Sequence, residues 1–402
     1  MYVAFLLKKY PKSSETFIAN QARALVERGH SVDIYAQKRT SDRPPDTTPA
    51  ANDIIYLESI SSSDKAASIL GTQIPALLRH PEYPLRVLRY GTGAVPQTDL
   101  WRRRSDPIRH RIEEYDAIHA HYGPVGNAFQ FLASETEAPF VTSFYGYDAS
   151  ELLEKNPWRY ESLFDSADVI GSLSSEMDEE LVRHGCPSEK VTRFPLPVDT
   201  RAFQLSPPAS DCDKPLQLLS ACRLVEKKGI KYVLEALESL KTDYEIEYRI
   251  AGDGPLRDDL ERQTSERGLG DVVEFLGWKE SDEIARLMAD SDIFVQTSTT
   301  STEGDKEGTP TVLLEAQARG LPVVSTWHAG IPEIVDDGSS GLLVPERDSE
   351  AIKSALEELL SEPTKWEKIG RNGRKLVETR HSLDAVADIL EKMYTGVHGG
   401  EL

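Results

Sequence analysis

Two glutamates, Glu307 and Glu315, stand eight positions apart on either side of a predicted helix start. Thr309 is predicted to be the N-cap and Pro310 the first helical residue, because proline has no N–H to lose at that position. The helix is predicted to continue to Arg319, where a following glycine stops it. Carboxylates on both sides of a helix start can accept hydrogen bonds from a ligand's hydroxyl groups.

The start of this helix also suits an anion. The N–H groups of Thr311 and Val312 have no acceptor within the helix and point towards whatever lies before it. Glu315 lies one turn beyond Thr311 on the same face, and Gly308 after Glu307 permits close backbone approach. The ligand that fits this pattern has a diphosphate between two hydroxyl-bearing sugars, which is the shape of a nucleotide sugar.

The sequence around these glutamates resembles the retaining glycosyltransferases of family 4. Residues 307–315 match that family's E-x7-E motif. Residues 223–229 are similar to its R-L-x-x-x-K-G, residues 252–256 to its G-x-G-x-L, and residues 330–335 to its GIPE-[LI]-V. Residues 10–17 are similar to the F-P-x-x-SETF of exopolysaccharide and colanic-acid-type members, without the glycines that many relatives carry in this loop.

The resemblance implies a role for each matched residue. Arg223 and Lys228 would hold the diphosphate with fixed charges in place of a divalent metal, and Glu315 would accept hydrogen bonds from the ribose hydroxyls. Glu307 would hold hydroxyls of the donor sugar near its anomeric carbon, and His121 would approach that sugar from the opposite domain. The donor-binding residues implied in this way are Gly254, Trp278, Gly308, Thr309, Pro310, Thr311, Val312 and Glu315. Taken singly, each charged residue also fits an ordinary solvated or packed position, and only the order of the motifs favours function.

The acceptor-side candidates are Glu15, Thr16, Tyr145 and Asp148. Residues 143–148 depart from the T-F-H-G-x-D of relatives, because Tyr145 stands where they carry a histidine. A tyrosine can donate a hydrogen bond but is a poor base near neutral pH. Asp148 could take part in the chemistry or cap a helix. His119 is expected to point to the other face of its strand from His121 and to have a structural role.

Composition limits the class of protein. The chain has 402 residues, enough for two domains, and 39% hydrophobic residues with no apolar run long enough to span a membrane. Its net charge of −21 argues against a nucleic-acid partner. Three scattered cysteines predict neither a disulfide framework nor a zinc site, so a reduced cytoplasmic protein is expected, with the inner face of the membrane as an alternative location.

A local basic patch runs from Arg79 to Arg111, although the chain as a whole is acidic. Its arginines are Arg79, Arg86, Arg89, Arg102, Arg103, Arg104, Arg109 and Arg111. One interpretation is a peripheral contact with an anionic membrane or acceptor. The other is a solvated helix face, and the sequence favours neither.

Alternating strands and helices predict two doubly wound α/β domains, and the resemblance names the arrangement the GT-B fold, with two Rossmann-like domains facing across a cleft. A proline-rich stretch separates an N-terminal acceptor-side domain, 1–197, from a C-terminal nucleotide-sugar-binding domain, 198–382. The final helix, about 383–402, is expected to pack back on the first domain. The predicted strands are 2–7, 31–36, 116–120, 140–144, 168–172, 216–221, 245–251, 272–276, 292–296 and 321–325.

The resemblance implies a retaining, metal-independent hexosyltransferase that uses a UDP-sugar or GDP-sugar, needs no cofactor, and forms an α linkage to a lipid-linked or saccharide acceptor. Its expected setting is the biosynthesis of a surface polysaccharide or glycan. Two alternatives stay open: a soluble disaccharide or sugar-phosphate synthase of the same family, and a non-catalytic protein that binds a sugar nucleotide. Tyr145 is the feature that favours the last of these.

Overall fold

The structure is a computed structural model that describes residues 1–12, 15–40, 51–57, 105–208 and 215–396. The chain forms two compact units. Unit 1 comprises Met1–Phe194 with Val386–Leu402, and unit 2 comprises Pro195–Ala385.

Unit 1 contains a seven-stranded parallel sheet in the order β3-β2-β1-β4-β5-β6-β7. Its strands are β1 (Tyr2–Leu7), β2 (Ser31–Ala36), β3 (Asp53–Tyr56), β4 (Ala117–His121), β5 (Phe140–Ser143), β6 (Val169–Ser172) and β7 (Val191–Arg193). The helices in the first part of unit 1, up to Phe194, are α1 (Thr16–Glu27), α2 (Asp106–Arg109), α3 (Gly123–Phe129), α4 (Glu151–Lys155), α5 (Glu161–Ser166) and α6 (Ser175–Arg183). β1 is an unbroken apolar run because both faces of a parallel sheet are covered, and its residues from Val3 to Leu7 are buried.

Unit 2 contains a six-stranded parallel sheet in the order β10-β9-β8-β11-β12-β13. Its strands are β8 (Leu216–Ala221), β9 (Ile246–Ala251), β10 (Val273–Gly277), β11 (Ile293–Gln296), β12 (Val323–Thr326) and β13 (Gly341–Val344). The helices are α7 (Ile230–Leu240), α8 (Arg257–Glu266), α9 (Ser281–Ala289), α10 (Thr311–Arg319), α11 (Ser349–Ser361), α12 (Trp366–Arg380) and α13 (Leu383–Tyr394), the last of which runs from unit 2 into unit 1.

The core of unit 2 lies on both faces of its sheet. Leu218 packs in one apolar cluster with α7 and α11, and its neighbour Leu219 packs in the other with α10. This follows from the alternation of side chains along a strand. α7 contributes Ile230, Val233 and Leu237 to the first of these clusters, at the spacing of a helix with one buried face.

The two sheets share one strand order, in which the first strand of each unit lies between the second and the fourth. In such sheets ligands bind beyond the carboxyl ends of the strands, where the winding direction reverses. That point lies between β1 and β4 in unit 1 and between β8 and β11 in unit 2. The prediction of two doubly wound Rossmann-like domains is confirmed.

The predicted start of α10 is wrong by one residue. Pro310, not Thr309, is the N-cap, and the first helical residue is Thr311. Pro310 has a φ of −72° that suits a helix, but its ψ of 100° is extended. The proline ring fixes φ alone, so it does not require the residue to be helical. Leu313 donates its N–H to the carbonyl of Pro310 at 3.0 Å, as expected of the first turn.

The contacts of α13 with unit 1 are polar as well as apolar. Val386 and Leu390 are completely buried. Asp388 Oδ1 accepts a hydrogen bond from Arg28 Nη2 at 2.5 Å, and Glu391 Oε1 lies 2.8 Å from His30 Nε2. The end of the described chain is therefore fixed beside the helix and strand that follow its beginning.

Candidate functional site

The predicted residues of unit 2 lie in the loops that leave the carboxyl ends of its strands. Arg223 follows β8, Gly254 follows β9, Trp278 follows β10, and Glu307 lies in the long loop between β11 and α10. All four loops emerge at one edge because the strands are parallel. Residues spread over 85 positions of sequence, from 223 to 307, thus share one edge of the sheet.

Lys228 and Glu307 form a buried ion pair. Lys228 Nζ lies 2.6 Å from Glu307 Oε1, and the two side chains are 12% and 9% exposed. Burial alone raises the pKa of the Glu307 carboxyl, but the charges of Lys228 and Lys227 outweigh it and lower that pKa to about 2. Glu307 is therefore ionised at neutral pH.

A glycine determines where Lys228 stands. Gly229 has a φ of +65°, and a Cβ added to it would lie 1.9 Å from the carbonyl oxygen of Thr297. Thr297 Oγ1 also donates to the carbonyl of Gly229 at 3.1 Å. The turn that carries Lys228 is thus packed directly on the end of β11.

Arg223 differs from Lys228 in being exposed and unpaired. No ion pair or hydrogen bond of its side chain is found within the described ranges. Its main chain is fixed in place, because Leu224 donates its N–H to the main-chain carbonyl of Asp253 at 2.9 Å, and a Cβ on Gly252 would lie 1.8 Å from the carbonyl oxygen of Cys222. Arg223 therefore offers a guanidinium for an external anion on a rigid support.

Glu226 and Lys227, which directly precede Lys228, both bind the loop that leads to Glu307. Neither of them was identified from the sequence. Glu226 accepts hydrogen bonds from the N–H and hydroxyl of Thr302 at 3.1 and 2.8 Å. Lys227 Nζ binds Asp305 Oδ1 at 2.8 Å and the carbonyl of Lys306 at 3.0 Å. The partners are about 75 positions apart in sequence, so no local pattern could have revealed them.

His328 is a further residue that the sequence did not single out. Its Nε2 accepts the N–H of Glu307 at 3.1 Å, so the ring proton lies on Nδ1, which donates to Glu346 Oε1 at 2.6 Å. Glu346 in turn accepts from Thr299 and Thr300 at the start of the same loop. The one available signal was its position just before the motif at residues 330–335.

Glu315, unlike Glu307, has no side-chain partner among the described residues. It is half-buried in α10, and no hydrogen bond or ion pair to its carboxylate is found in the part of the chain that the structure describes. Burial raises its pKa to about 7. Even a half-buried carboxylate without a partner is costly, so a ligand that donates hydrogen bonds to it would relieve the cost. Thr311 and Val312 lie in the first turn of this helix, whose N–H groups have no acceptor within it.

Trp278 stands apart from these contacts. Its side chain is 47% exposed, and its indole Nε1 donates to Glu280 Oε1 at 3.3 Å. No hydrogen bond or ion pair within the described ranges joins it to Lys228 or Glu307. Gly308, Thr309 and Pro310, by contrast, are buried directly after Glu307.

In unit 1, His121 ends β4 as a completely buried side chain. Its Nδ1 lies 2.6 Å from Tyr145 Oη, and its Nε2 has no partner among the described residues. Burial, with the neighbouring His119, holds the pKa of His121 well below its usual range, so the ring is neutral. If Tyr145 donates to Nδ1, the proton of the neutral ring lies on Nε2, which has no acceptor among the described residues.

The expectation for His119 was wrong in direction. Its ring is stacked on that of His121, with centroids 4.1 Å apart, so the two share one face of β4. Side chains alternate with a period of two, so residues two apart point the same way. The structure gives His119 packing and hydrogen-bonding contacts: its two ring nitrogens lie 2.8 Å from Tyr394 Oη and 2.7 Å from Ser143 Oγ.

The acceptor-side candidates divide into two groups. Asp148 is buried and accepts the N–H groups of Gly123, Tyr145 and Gly146 at 2.9 to 3.1 Å, so it ties the β5 loop to the start of α3. Burial raises the pKa of Asp148 to about 6 against the effect of these donors. Tyr145 contacts His121, as described above.

Glu15 and Thr16 lie at the start of α1, with Glu15 as its N-cap and Thr16 as its first residue. Glu15 Oε1 accepts the hydroxyl of Tyr122 at 3.0 Å and pairs with Lys12. Tyr122 has a φ of +77°, in the left-handed region that non-glycine residues seldom adopt. The loops after β1 and β4 are thus joined at the reversal point of the sheet.

Only the end of the basic patch falls within the described chain. Arg109 Nε binds Glu135 Oε2 at 2.6 Å, and Arg111 Nη1 lies 2.9 Å from the buried Asp33. These two arginines are engaged inside unit 1. The arginines from Arg79 to Arg104 lie outside the described residues.

The described residues contain neither a cluster of metal ligands nor a helix able to cross a membrane. No group of three or more His, Cys, Asp or Glu side chains there is arranged to hold a metal ion. Among the described helices, none combines the length and the apolar character that crossing a bilayer requires.

Comparison with protein families gives two matches that together span most of the chain. The family described as "Glycosyl transferases group 1" matches residues 206–376. The family described as "Glycosyl transferase 4-like domain" matches residues 14–197.

Individual relatives match over nearly their full length. WcaL of Salmonella typhimurium, assigned as a glycosyltransferase of colanic acid biosynthesis, is 35% identical over 376 residues, covering 89% of this chain and 90% of that protein. The amylovoran biosynthesis glycosyltransferase AmsK of Erwinia amylovora is 29% identical, covering 98% of this chain and 100% of that protein.

Solved structures with the same fold are more distant in sequence. HepE of Anabaena, in complex with UDP and glucose, superposes with a TM-score of 0.73 at 17% identity, covering 98% of this chain and 99% of that one. Sucrose-phosphate synthase of Thermosynechococcus elongatus gives 0.71 at 18% identity, covering 98% of each chain. These neighbours confirm the GT-B fold.

Proposed function

Because this chain belongs to the group 1 glycosyl transferases with a 4-like domain, we propose that it moves a hexose from a nucleoside-diphosphate sugar to a lipid-linked or saccharide acceptor. We further propose that it retains the configuration of the donor, forms an α linkage, and works in the synthesis of a surface polysaccharide. The names of WcaL and AmsK support that setting. A cytoplasmic location at the inner face of the membrane is part of the same proposal.

The observation that carries this proposal is the pairing of Lys228 with Glu307 beside an unpaired Arg223. Breaking the bond between the anomeric carbon and the diphosphate leaves negative charge on the phosphate and positive character on the sugar. Arg223 and the first turn of α10 supply fixed positive charge and N–H donors for the former. Lys228 would be shared between Glu307 and the phosphate.

Glu307 is suited to the other half of the reaction. Its carboxylate is ionised and its loop is fastened by Lys227 and His328, so it can hold sugar hydroxyls and stabilise positive charge at a defined position. We propose positioning and charge stabilisation for Glu307, with no covalent sugar intermediate. Glu315 is proposed to accept the ribose hydroxyls. Gly254, Gly308, Thr309 and Pro310 are proposed to let the backbone approach the donor, and Trp278 to line the pocket of the base.

His121 is the residue of unit 1 that we propose to act on the donor sugar. Its free Nε2 and neutral ring allow it to donate a hydrogen bond without carrying a charge. Tyr145 orients this ring, so the tyrosine that replaces the histidine of relatives has a defined contact here. Glu15, Thr16 and Asp148 are proposed to shape the acceptor side through the loops they join.

The test is isothermal titration of the protein with UDP, GDP and their common sugar conjugates in the presence of EDTA. We expect one nucleotide to bind, and Arg223→Ala to weaken it by about tenfold or more, since a hydrogen bond to a charged group contributes on the order of 1.5–3 kcal/mol. Arg262→Ala, which removes an exposed arginine of α8, is the matched control. Binding of no nucleotide by the folded protein would contradict the proposal.

A turnover assay separates an enzyme from a sugar-nucleotide binder. We expect Glu307→Ala to lose turnover and keep nucleotide binding. If the wild type releases no nucleotide with any donor and acceptor tried, the non-catalytic alternative takes precedence.

A further inference from the structure

A second group of positive charges lies in unit 1, at the carboxyl edge of β1 and β2. Lys8 and Lys9 directly follow β1, and Lys38 follows β2 two residues after its end. The two loops keep the pairing of their strands, because Tyr10 donates its N–H to the carbonyl of Lys38 at 3.1 Å. Lysines distant in sequence are therefore held side by side by the backbone.

These lysines lack acidic partners. Lys8, Lys9 and Lys38 are exposed, and no ion pair to any of them is found in the described part of the chain. Lys12, the next lysine along the loop, is paired with Glu15. Three lysines without acidic partners thus lie at one edge of the sheet in a chain whose net charge is −21.

A fifth cation, Arg159, lies in another loop, near enough for its charge to act on Lys8. Arg159 lies between α4 and α5, and its Nε is buried without a hydrogen-bond partner among the described residues. Burial, together with the charges of Lys9, Lys38, Lys12 and Arg159, lowers the pKa of Lys8. Burial of Lys8 and the mutual repulsion of these cations are both costs to the folded protein, and a bound anion would reduce them.

The lysines stand next to the end of β4. β1 and β4 pair with Leu6 opposite Ala120, so Lys8, two residues further, comes level with Tyr122. His121 lies just before that residue, and neighbouring strands are about 4.8 Å apart. The cations and His121 thus share the reversal point of one sheet.

We propose that Lys8, Lys9, Lys38 and Arg159 form a binding site for a phosphate or diphosphate group carried by the acceptor. The identification of the ligand as the acceptor rests on the proposed function. The group can belong to a lipid-linked sugar diphosphate or to a soluble sugar phosphate, and both present the same oxygens to lysine and arginine.

The experiment uses the full chain with Arg223→Ala as a common background, so that the donor-side arginine does not contribute. Inorganic pyrophosphate is titrated into this protein, into the same protein with Lys8→Glu and Lys38→Glu, and into the same protein with Lys392→Glu. Lys392 is an exposed lysine of α13 in the same unit and controls for net charge. We expect the double reversal to weaken binding by about tenfold or more and the control to leave it unchanged. Lys8→Gln with Lys38→Gln repeats the comparison without added negative charge, should the reversal disturb folding.

The second arm identifies the source of the phosphate. The wild type is sedimented with phosphatidylcholine vesicles that contain undecaprenyl diphosphate, or phosphatidylglycerol at equal surface charge. Retention by the first vesicles only, lost in the double variant, supports a lipid-linked acceptor. Binding of free pyrophosphate without retention supports a soluble acceptor. Equal retention by both vesicles, or unchanged pyrophosphate binding in both double variants, would overturn the proposal.

Failure of this site and failure of the proposed function have different signatures. Nucleotide binding by protein with Arg223 intact tests the function, and the lysine variants should not change it. The protein could bind pyrophosphate through Lys8 and Lys38 and yet bind no nucleotide. That result would support the anion site and contradict the proposed glycosyl transfer.

Discussion

Lys228 stabilises the negative charge of Glu307, whose buried carboxylate is largely shielded from water. Lys228→Met leaves that carboxylate buried without its ion-pair partner, and we expect the free energy of unfolding to fall by roughly 2–4 kcal/mol at pH 7. Glu307 has a lowered pKa of about 2 in the wild type, so its contribution is present above the ordinary value of 4.5 and is lost as the pH falls towards 2. The deficit of the variant should therefore shrink on acidification, because its unpaired carboxyl takes up a proton.

Urea unfolding at pH 7 and pH 4.5 measures this deficit. Lys353→Met is the matched control, since Lys353 and Glu357 form a partly exposed pair on α11 that we expect to contribute less than about 1 kcal/mol. Equal deficits for the two variants would mean that the Lys228 pair is solvated.

The pH dependence of stability expected from Glu315 is opposite to that expected from Glu307. Its folded pKa of about 7 lies above the ordinary 4.5, so stability is greatest while it is protonated and is lost as the pH rises from 4.5 through 7. Glu315→Gln should therefore raise the melting temperature at pH 8 and leave it nearly unchanged at pH 4.5. Differential scanning fluorimetry at the two pH values measures both. A lower melting temperature at pH 8 would refute the assignment of an unpartnered carboxylate.

The same substitution tests the role of Glu315 in binding. Hydrogen bonds from ribose hydroxyls favour the ionised form, so nucleotide binding at pH 6.5 should release protons from the wild type. Titration in two buffers of different ionisation enthalpy should show that release, and Glu315→Gln should abolish it. We also expect this variant to bind the nucleotide about tenfold more weakly.

At the scale of elements, the loop between β11 and α10 is held by a network that includes His328. His328→Ala removes the acceptor of the Glu307 N–H and the donor to Glu346, so the loop loses two fixed points. We expect kcat to fall by about tenfold to a hundredfold, because small displacements of a positioned group are costly. Nucleotide affinity should change much less, since Arg223 and α10 stay in place.

His328→Gln is the conservative comparison for that experiment. The amide of glutamine can accept from Glu307 and donate to Glu346, so part of the lost kcat should return. Loss of nucleotide affinity as large as the loss of kcat would show that His328 acts on the fold of the site as a whole.

The packing of α12 on α10 gives a second prediction for elements. A Cβ on Gly370 would lie 1.8 Å from the carbonyl oxygen of Gly320, at the end of α10. Gly370→Ala must therefore separate the helices, and we expect a loss of roughly 1–3 kcal/mol in the unfolding of unit 2. Gly270→Ala is the control, because a Cβ there meets nothing within 4 Å. Thermal unfolding that is equal for both variants would contradict this packing.

The sequence predicted the elements that are long, apolar and bounded by turns. β1, β2 and β8 have the predicted bounds, since each is a continuous buried run. The edge strands β3, β7 and β13 were not predicted, because each has only three or four residues. Strands so short have no periodicity to recognise.

Prediction of the site had a similar limit. Motif order pointed to Arg223, Lys228 and Glu307, of which the last two are in direct contact. Lys227 and His328, which fasten the same loop, were not predicted because their partners are set by chain folding and not by spacing. The error over His119 was one of geometry and could have been avoided from the period of a strand.

At the scale of the whole molecule, α13 completes unit 1 from the far end of the chain. Leu390 is completely buried there, whereas Lys392 on the same helix is exposed. We expect Leu390→Ala to cost about 2–5 kcal/mol in the unfolding of unit 1, and Lys392→Ala to stay within about 0.5 kcal/mol. Calorimetry measures both. A shift confined to the transition of unit 2 would assign the helix to the other unit.

Unit 2 is inserted between the two parts of unit 1, and the first and last residues of the inserted segment lie close together. Val198 and Ser382 form a parallel bridge, and His381 Nδ1 lies 3.0 Å from the carbonyl of Leu196, so the segment leaves unit 1 and returns beside its own start. A piece joined at two adjacent points can be exchanged without changing the length of either junction. Residues 195–385 can therefore be exchanged as one segment. If unit 2 binds the donor, as we propose, grafting the corresponding segment of another transferase at these two junctions would change the donor and keep the acceptor.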